Sequence, residues 1–167
     1  MLNQDLRPES ITAAEKRNAW LMMVGAFVLL MFLSLRMGSV PVATQVFLGF
    51  LLLVGGSTLL TDWVDKKTVL RVDGGRVSFN NGVREVNFGW DEIEKINILP
   101  LKWGKSVQVI GASTQFQFRT LAEVQYQGKF RGRLGFAEGE AVLQHLLKET
   151  GLPLLKEEKG RYYYSRA

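Results

Sequence analysis

Two long apolar segments, residues 19–35 and 40–61, lie close together near the start of the chain, and neither contains an acidic residue. Each approaches the length of the roughly 20-residue helix that crosses a hydrocarbon core of about 30 Å. Lipid offers backbone amides no hydrogen-bond partner, so a segment that crosses it must be helical. Only residues 36–39 separate the two segments. The sequence therefore predicts a tight antiparallel helical hairpin in a membrane.

Two other interpretations of these segments were weighed. Buried core helices of a soluble protein are disfavoured because uncharged runs of this length are typical of membrane spans. A cleaved signal peptide is disfavoured because no small-x-small cleavage site precedes Arg36 and a second apolar segment follows at once.

The flanks of the two segments predict their orientation. The connecting loop carries Arg36 alone, whereas the outer flanks are rich in basic residues. These are Arg7, Lys16, Arg17, Lys66, Lys67 and Arg71. By the positive-inside rule both termini are cytoplasmic, including the N-terminal segment 1–18. Trp20 and Trp63 fall at the cytoplasmic ends of the two spans, where an indole suits the interface, so they are predicted membrane-interface anchors.

The rest of the chain predicts one small β-rich domain, residues 66–153, followed by a charged and then aromatic tail, residues 154–167. Alternation with period two begins near Thr68, and Asn80-Asn81-Gly82 is a hairpin signal. Residues 140–150 change to an amphipathic helical pattern. Gly151 and Pro153 are typical of a helix end.

Three stretches carry a resemblance to a known family. Residues 69–79 read VLRVDGGRVSF, residues 90–96 read WDEIEKI, and residues 146–153 read LLKETGLP. Together with the preceding hairpin they resemble the bacterial membrane-anchored PH-like (pleckstrin-homology-like) proteins of the two-span type, and the layout is also similar to that of the photosystem I assembly proteins. The resemblance implies a PH-like barrel of six or seven antiparallel strands with one C-terminal amphipathic helix, in a bacterial inner or thylakoid-like membrane. Such a fold implies little about function.

Catalytic chemistry finds little support in the sequence. Cysteine is absent and His145 is the single histidine, so thiolate sites and histidine clusters cannot form. The acidic residues Asp91, Glu92 and Glu94 fit the solvated start of a strand better than a cation site. We therefore expect no enzyme, no cofactor and no metal.

One region does stand out, and we call it the basic stripe. Between positions 102 and 133 six basic residues face a single acid and are interleaved with aromatic residues. They are Lys102, Lys105, Arg119, Lys129, Arg131 and Arg133. Strand alternation would place the last three on one face, with Phe130 opposite in the core.

Three interpretations of the basic stripe stay open. It is the solvated face of a strand, a site for anionic lipid, or a docking face for an acidic protein. Nucleic acid is disfavoured as a partner because no recognition motif is present and the chain is tethered to a bilayer.

The sequence thus predicts a non-enzymatic, membrane-anchored interaction module, acting as an accessory, scaffold or assembly factor for a membrane protein complex. The alternative is a module that binds or senses anionic lipid through the basic stripe. The expected partners are membrane lipids and an integral membrane protein, with a homo-oligomer left open and no nucleic acid.

Overall fold

A computed structural model describes residues 5–9 and 13–166. The chain divides into two compact units. We call Ile11–Trp63 the helix unit, and Met1–Ser10 together with Val64–Ala167 the β unit.

Two long helices, α1 (Ala13–Met37) and α2 (Val42–Lys67), contain almost all of both predicted apolar segments. They have 25 and 26 residues, and both are long and apolar enough to cross a membrane. Only 11% of the apolar window of each helix is buried. Apolar side chains that face outward are expected of helices surrounded by lipid, whereas a core helix of a soluble protein buries them. The predicted pair of apolar helices followed by a β-rich region is therefore confirmed.

An ion pair joins α1 and α2. Lys16 Nζ lies 3.0 Å from Asp62 Oδ2, and Asp62 is buried. Trp20 lies one turn beyond Lys16 along α1, and Trp63 directly follows Asp62. Both predicted interface anchors therefore lie at the same end of the helix pair, and both indoles are exposed.

The two helices pack closely at Gly55. A Cβ atom built there would collide with the side chain of Met23 and would lie 3.1 Å from the carbonyl oxygen of Ala19. Gly49 and Gly56 have nothing within 4 Å of such an atom. Of these three glycines, only Gly55 is required by close packing.

The β unit contains twelve strands, one 3-10 turn and one α-helix among its described residues. In chain order they are β1 (Asp5–Leu6), β2 (Pro8–Glu9), β3 (Val69–Asp73), β4 (Arg76–Asn80), β5 (Glu85–Gly89), a 3-10 turn (Trp90–Glu92), β6 (Ile93–Pro100), β7 (Lys105–Gly111), β8 (Gln115–Arg119), β9 (Ala122–Tyr126), β10 (Lys129–Phe136), α3 (Gly139–Thr150), β11 (Leu154–Glu158) and β12 (Arg161–Ser165).

These strands form three antiparallel sheets. The order is β1-β3-β4-β5 in the first, β11-β12-β6-β7-β8 in the second, and β2-β10-β9 in the third. An isolated parallel bridge between Thr120 and Phe136 connects the end of β8 to the end of β10. Six of the eleven pairs of consecutive strands are hydrogen-bonded neighbours, namely β3–β4, β4–β5, β6–β7, β7–β8, β9–β10 and β11–β12.

Alternate residues of these strands build one core. Phe79 of the first sheet stacks on Phe116 of the second, with ring centroids 5.2 Å apart. From α3, Val142, Leu143 and Leu146 are fully buried in the same cluster. A helix must bury its apolar stripe against some apolar surface, and α3 buries its stripe in this core. Two more strands follow α3, so this helix does not end the domain.

The structure corrects the prediction that the residues after 153 form a separate tail. They form the β11–β12 hairpin, whose turn residues Lys159 and Gly160 have φ of 50° and 77°. Positive φ at both central residues is typical of a type I′ turn, which glycine favours. Tyr162 pairs with Ile98, so β12 extends the second sheet. Tyr162, Tyr163 and Tyr164 hid this strand because identical consecutive residues show no alternation.

The N-terminal segment contributes two short strands that the sequence did not indicate. Within predicted segment 1–18, β1 pairs with β3 and β2 pairs with β10, so both strands belong to the β unit. Strands of two residues are too short to produce a visible period in the sequence.

Candidate functional site

Five of the six residues of the basic stripe fall into two groups rather than forming one surface. Lys105 and Arg119 lie at adjacent ends of β7 and β8, where the backbone amide of Thr120 donates to the carbonyl oxygen of Lys105 at 3.0 Å. Lys102 lies in the preceding turn, with its ammonium 4.8 Å from the centroid of the Trp103 ring. These three cations form the first group.

The second group, Lys129 and Arg131, lies at the far end of β10. Gly135, at the other end of this strand, contacts the backbone of Thr120. Gly135 lies six positions after Lys129, which corresponds to about 20 Å along a strand. Arg133 lies between the two ends. A small-molecule ligand therefore could not contact all six cations at once.

Two cations of the basic stripe are already paired with carboxylates. Lys105 Nζ lies 2.9 Å from Glu140 Oε1, and Arg133 Nη2 lies 3.9 Å from Glu123 Oε1. All four side chains are about half exposed, and such surface pairs contribute only about 0.2–1 kcal/mol to stability. Their charges are partly neutralised, so the remaining cations are the better candidates for an anionic ligand.

The prediction that Phe130 is core is wrong. Its side chain is 58% exposed. The register between β9 and β10 shifts between Phe130 and Gly132, which makes Arg131 an extra residue in the strand. One inserted residue reverses the face of every residue after it. Lys129 and Arg133 therefore lie on opposite faces, and Phe130 shares the outward face with Arg133.

A second candidate site was not found from the sequence. It is an open groove of about 870 Å³ along β5. Four consecutive residues of β5, 85–88, line it, together with the turn at residues 112–114. Consecutive strand residues point to opposite faces, so a groove that contacts all four must run along the edge of the strand. β5 is the outer strand of the first sheet, and no described strand pairs with that edge.

The groove carries more negative than positive charge. Its cations are Lys95 and Arg166. Its carboxylates are those of Glu85, Asp91, Glu92 and Glu94. The sequence showed the last three as neighbours, but only the fold brings Glu85 of β5 alongside them.

Hydrogen bonds within the chain engage part of this charge. Glu92 Oε2 accepts a hydrogen bond from the amide of Gly89 at 2.7 Å. Arg166 Nη2 donates to the carbonyl oxygen of Trp90 at 3.1 Å and lies 3.9 Å from Asp91 Oδ1. Among the described residues no group of three or more acidic, histidine or cysteine side chains is placed to hold a metal ion. The groove is therefore an open site with an excess of carboxylates beside a free strand edge.

His145 is half-buried at the surface of the β unit. Its ring meets that of Trp90 edge-on, with centroids 5.7 Å apart, and its Nδ1 lies 3.9 Å from Glu149 Oε1. Trp90 Nε1 also donates to the carbonyl oxygen of Gly74 at 3.3 Å. These contacts join α3 to the start of β6 and to the β3–β4 turn, so the imidazole has a packing role here.

One ion pair of the β unit perturbs a titration. Arg71 Nε donates a hydrogen bond to Asp5 Oδ1 at 2.6 Å. This bond is the main reason that the pKa of the Asp5 carboxyl is lowered and the pKa of the Arg71 guanidinium is raised. The pair joins β1 to β3 and thus fastens the N-terminal segment to the first sheet.

Comparison of the chain with protein-family models, with curated proteins and with solved structures found no match. Its function must be inferred from its own residues and their placement.

Proposed function

We propose that this chain is a non-enzymatic, membrane-anchored PH-like interaction module, an accessory or assembly factor for a membrane protein complex. In this proposal α1 and α2 cross the membrane as a hairpin with both termini cytoplasmic. The mostly exposed apolar windows of the two helices support the crossing. The excess of basic residues outside the loop that carries Arg36 supports the orientation.

The arrangement of the β unit supports the PH-like part of the proposal. Two antiparallel meanders, β3-β4-β5 and β6-β7-β8, enclose a common core. α3 buries Leu143 and Leu146 in that core. β1, β11 and β12 are then additions to the outer edges of the two sheets.

The observation that carries the interaction function is the groove along the free edge of β5. An unpaired strand edge presents backbone donors and acceptors, and proteins use such edges to bind an extended peptide as an added strand. The excess of carboxylates in this groove favours a peptide that carries basic residues. We expect the partner to present an extended basic segment, supplied by a membrane protein that meets α1 and α2 within the bilayer.

Site-specific photocrosslinking in intact membranes tests this proposal. A photoreactive residue at Asn87, which is exposed on β5 and lines the groove, should form an adduct with a discrete partner protein. Glu85→Lys should abolish the adduct because it opposes a basic segment with like charge. Glu157→Lys on β11 introduces the same charge away from the groove and should leave the adduct intact. Absence of an adduct from Asn87, or an adduct insensitive to Glu85→Lys, would contradict the proposal.

A second candidate function is binding of anionic lipid through the basic stripe. The structure favours only part of the stripe for this function, the exposed pair Lys129 and Arg131. Neither forms an ion pair with any described residue, whereas Lys105 and Arg133 do. Co-sedimentation of the chain with its native partner in high salt separates the two functions, because headgroup contacts are largely screened whereas the backbone hydrogen bonds of an added strand persist.

A further inference from the structure

Phe130 is the one phenylalanine of the described β unit that is exposed. The others belong to the core, and they are Phe79, Phe88, Phe116, Phe118 and Phe136. A single exposed apolar side chain is common on protein surfaces, so the significance of Phe130 lies in the residues around it. The structure of β10 aims Phe130 outward, because the bulge at Arg131 puts it on the same face as Arg133.

The surroundings of Phe130 indicate what covers it. Lys129 and Arg131 flank it in sequence, and both are exposed. Gln127 and Gly128 form the adjacent turn, with φ of 51° and 71°. Only Gly135 and Phe136 of β10 pair with β2, so the end of the hairpin near the turn is a ribbon of two strands.

We infer that the tip of the β9–β10 hairpin docks on an anionic bilayer surface, with Phe130 in the interface and Lys129 and Arg131 on lipid phosphates. An aromatic ring between two cations matches the layering of a bilayer, where apolar chains lie just beneath charged headgroups. Anionic lipid attracts basic residues that come within a Debye length of the surface.

The inference rests on the proposed crossing of the membrane by α2. Only Thr68 separates the end of α2 from the start of β3. A one-residue tether therefore holds a domain of this size, about 100 residues with a radius of gyration of about 13 Å, next to the bilayer. The short tether raises the effective concentration of the tip at the lipid surface, so a weak contact suffices for docking.

The absence of cysteine from the sequence allows a clean test on the full chain. Phe130→Cys is labelled with an environment-sensitive fluorophore, and the chain is placed in nanodiscs of either phosphatidylcholine alone or a mixture with phosphatidylglycerol. In the anionic discs the emission should shift to the blue and should be quenched by nitroxide-bearing lipids. In the zwitterionic discs the shift should be lost. A label at Gln144→Cys, on the exposed face of α3, should respond to neither lipid.

Charge reversal identifies the residues responsible. Lys129→Glu combined with Arg131→Glu should abolish the blue shift of the Phe130 label in anionic discs. Lys148→Glu combined with Lys159→Glu changes the net charge equally but lies elsewhere, and it should leave the shift unchanged. The shift should also be lost in about 1 M salt, where the Debye length is about 3 Å.

Two results would overturn the inference. One is an identical emission of the label at position 130 in the anionic and the zwitterionic discs, since the label then does not respond to anionic lipid. The other is a lipid-dependent shift that survives reversal of Lys129 and Arg131. Either result with the Asn87 adduct intact leaves the proposed interaction function standing, because the groove lies on a different strand from the hairpin.

Discussion

Leu146→Ala tests whether α3 is an essential part of the core. Leu146 is 0% exposed and belongs to the buried cluster of the β unit. Truncation removes three carbon groups, which at about 0.8 kcal/mol each corresponds to about 2.4 kcal/mol of lost transfer free energy. A residual cavity of about 50 Å³ would add about 1.2 kcal/mol at about 24 cal/mol per Å³. The expected loss in the free energy of unfolding is therefore about 3.5 kcal/mol.

Pulse proteolysis of the full chain in mild detergent over a urea series measures this loss. With a urea dependence of about 2 kcal/mol per M, the midpoint for cleavage of the β unit should fall by about 1.8 M. Gln144→Ala, on the exposed face of the same helix, should change the free energy by no more than about 0.5 kcal/mol. A midpoint for Leu146→Ala equal to that of the control would refute the placement of this face of α3 in the core.

Three further changes have defined outcomes. Asp5→Asn should lower the stability of the β unit at neutral pH, measured by urea unfolding. The folded-state pKa of the Asp5 carboxyl lies below its unfolded value of about 3.9, so the stability difference should be complete above about pH 3.9. It should fade as the pH falls through the lower, folded-state pKa. Gly55→Leu should weaken the helix pair in a detergent melting assay, since no room exists at the interface, whereas Gly56→Leu should melt like wild type. Ser39→Cys should react with an impermeant thiol reagent only from the face of the membrane opposite the β unit, and reaction from the cytoplasmic side alone would contradict the hairpin orientation.

Elements with a strong local signal could be predicted from the sequence. The two apolar segments are long and uncharged, so their helices were evident. The Asn80-Asn81-Gly82 signal likewise falls between β4 and β5, because a tight turn is set by a few adjacent residues.

Features that depend on pairing between distant strands could not be predicted. The burial of Phe130 was predicted wrongly because a single bulge reverses the alternation, and its only local signal in residues 129–133 is the isolated glycine Gly132. The groove was missed because Glu85 and Arg166 come together only when β5 and the end of β12 are placed in their sheets. Charge density along the sequence overstated the basic stripe for the same reason, since it could not show that Glu140 lies beside Lys105.

Hydrogen exchange at the outer edge of β5 tests whether this chain works by binding an extended segment of a partner. Amide hydrogen exchange is measured once on the chain in native membranes and once after its purification away from other proteins. The exchange rates of the amides of Glu85–Gly89 in the two samples are then compared by mass spectrometry. If a partner strand pairs with this edge, β5 should exchange more slowly in native membranes, and Glu85→Lys should remove the difference while Glu157→Lys does not. Equal exchange of β5 in both states would contradict the proposed function.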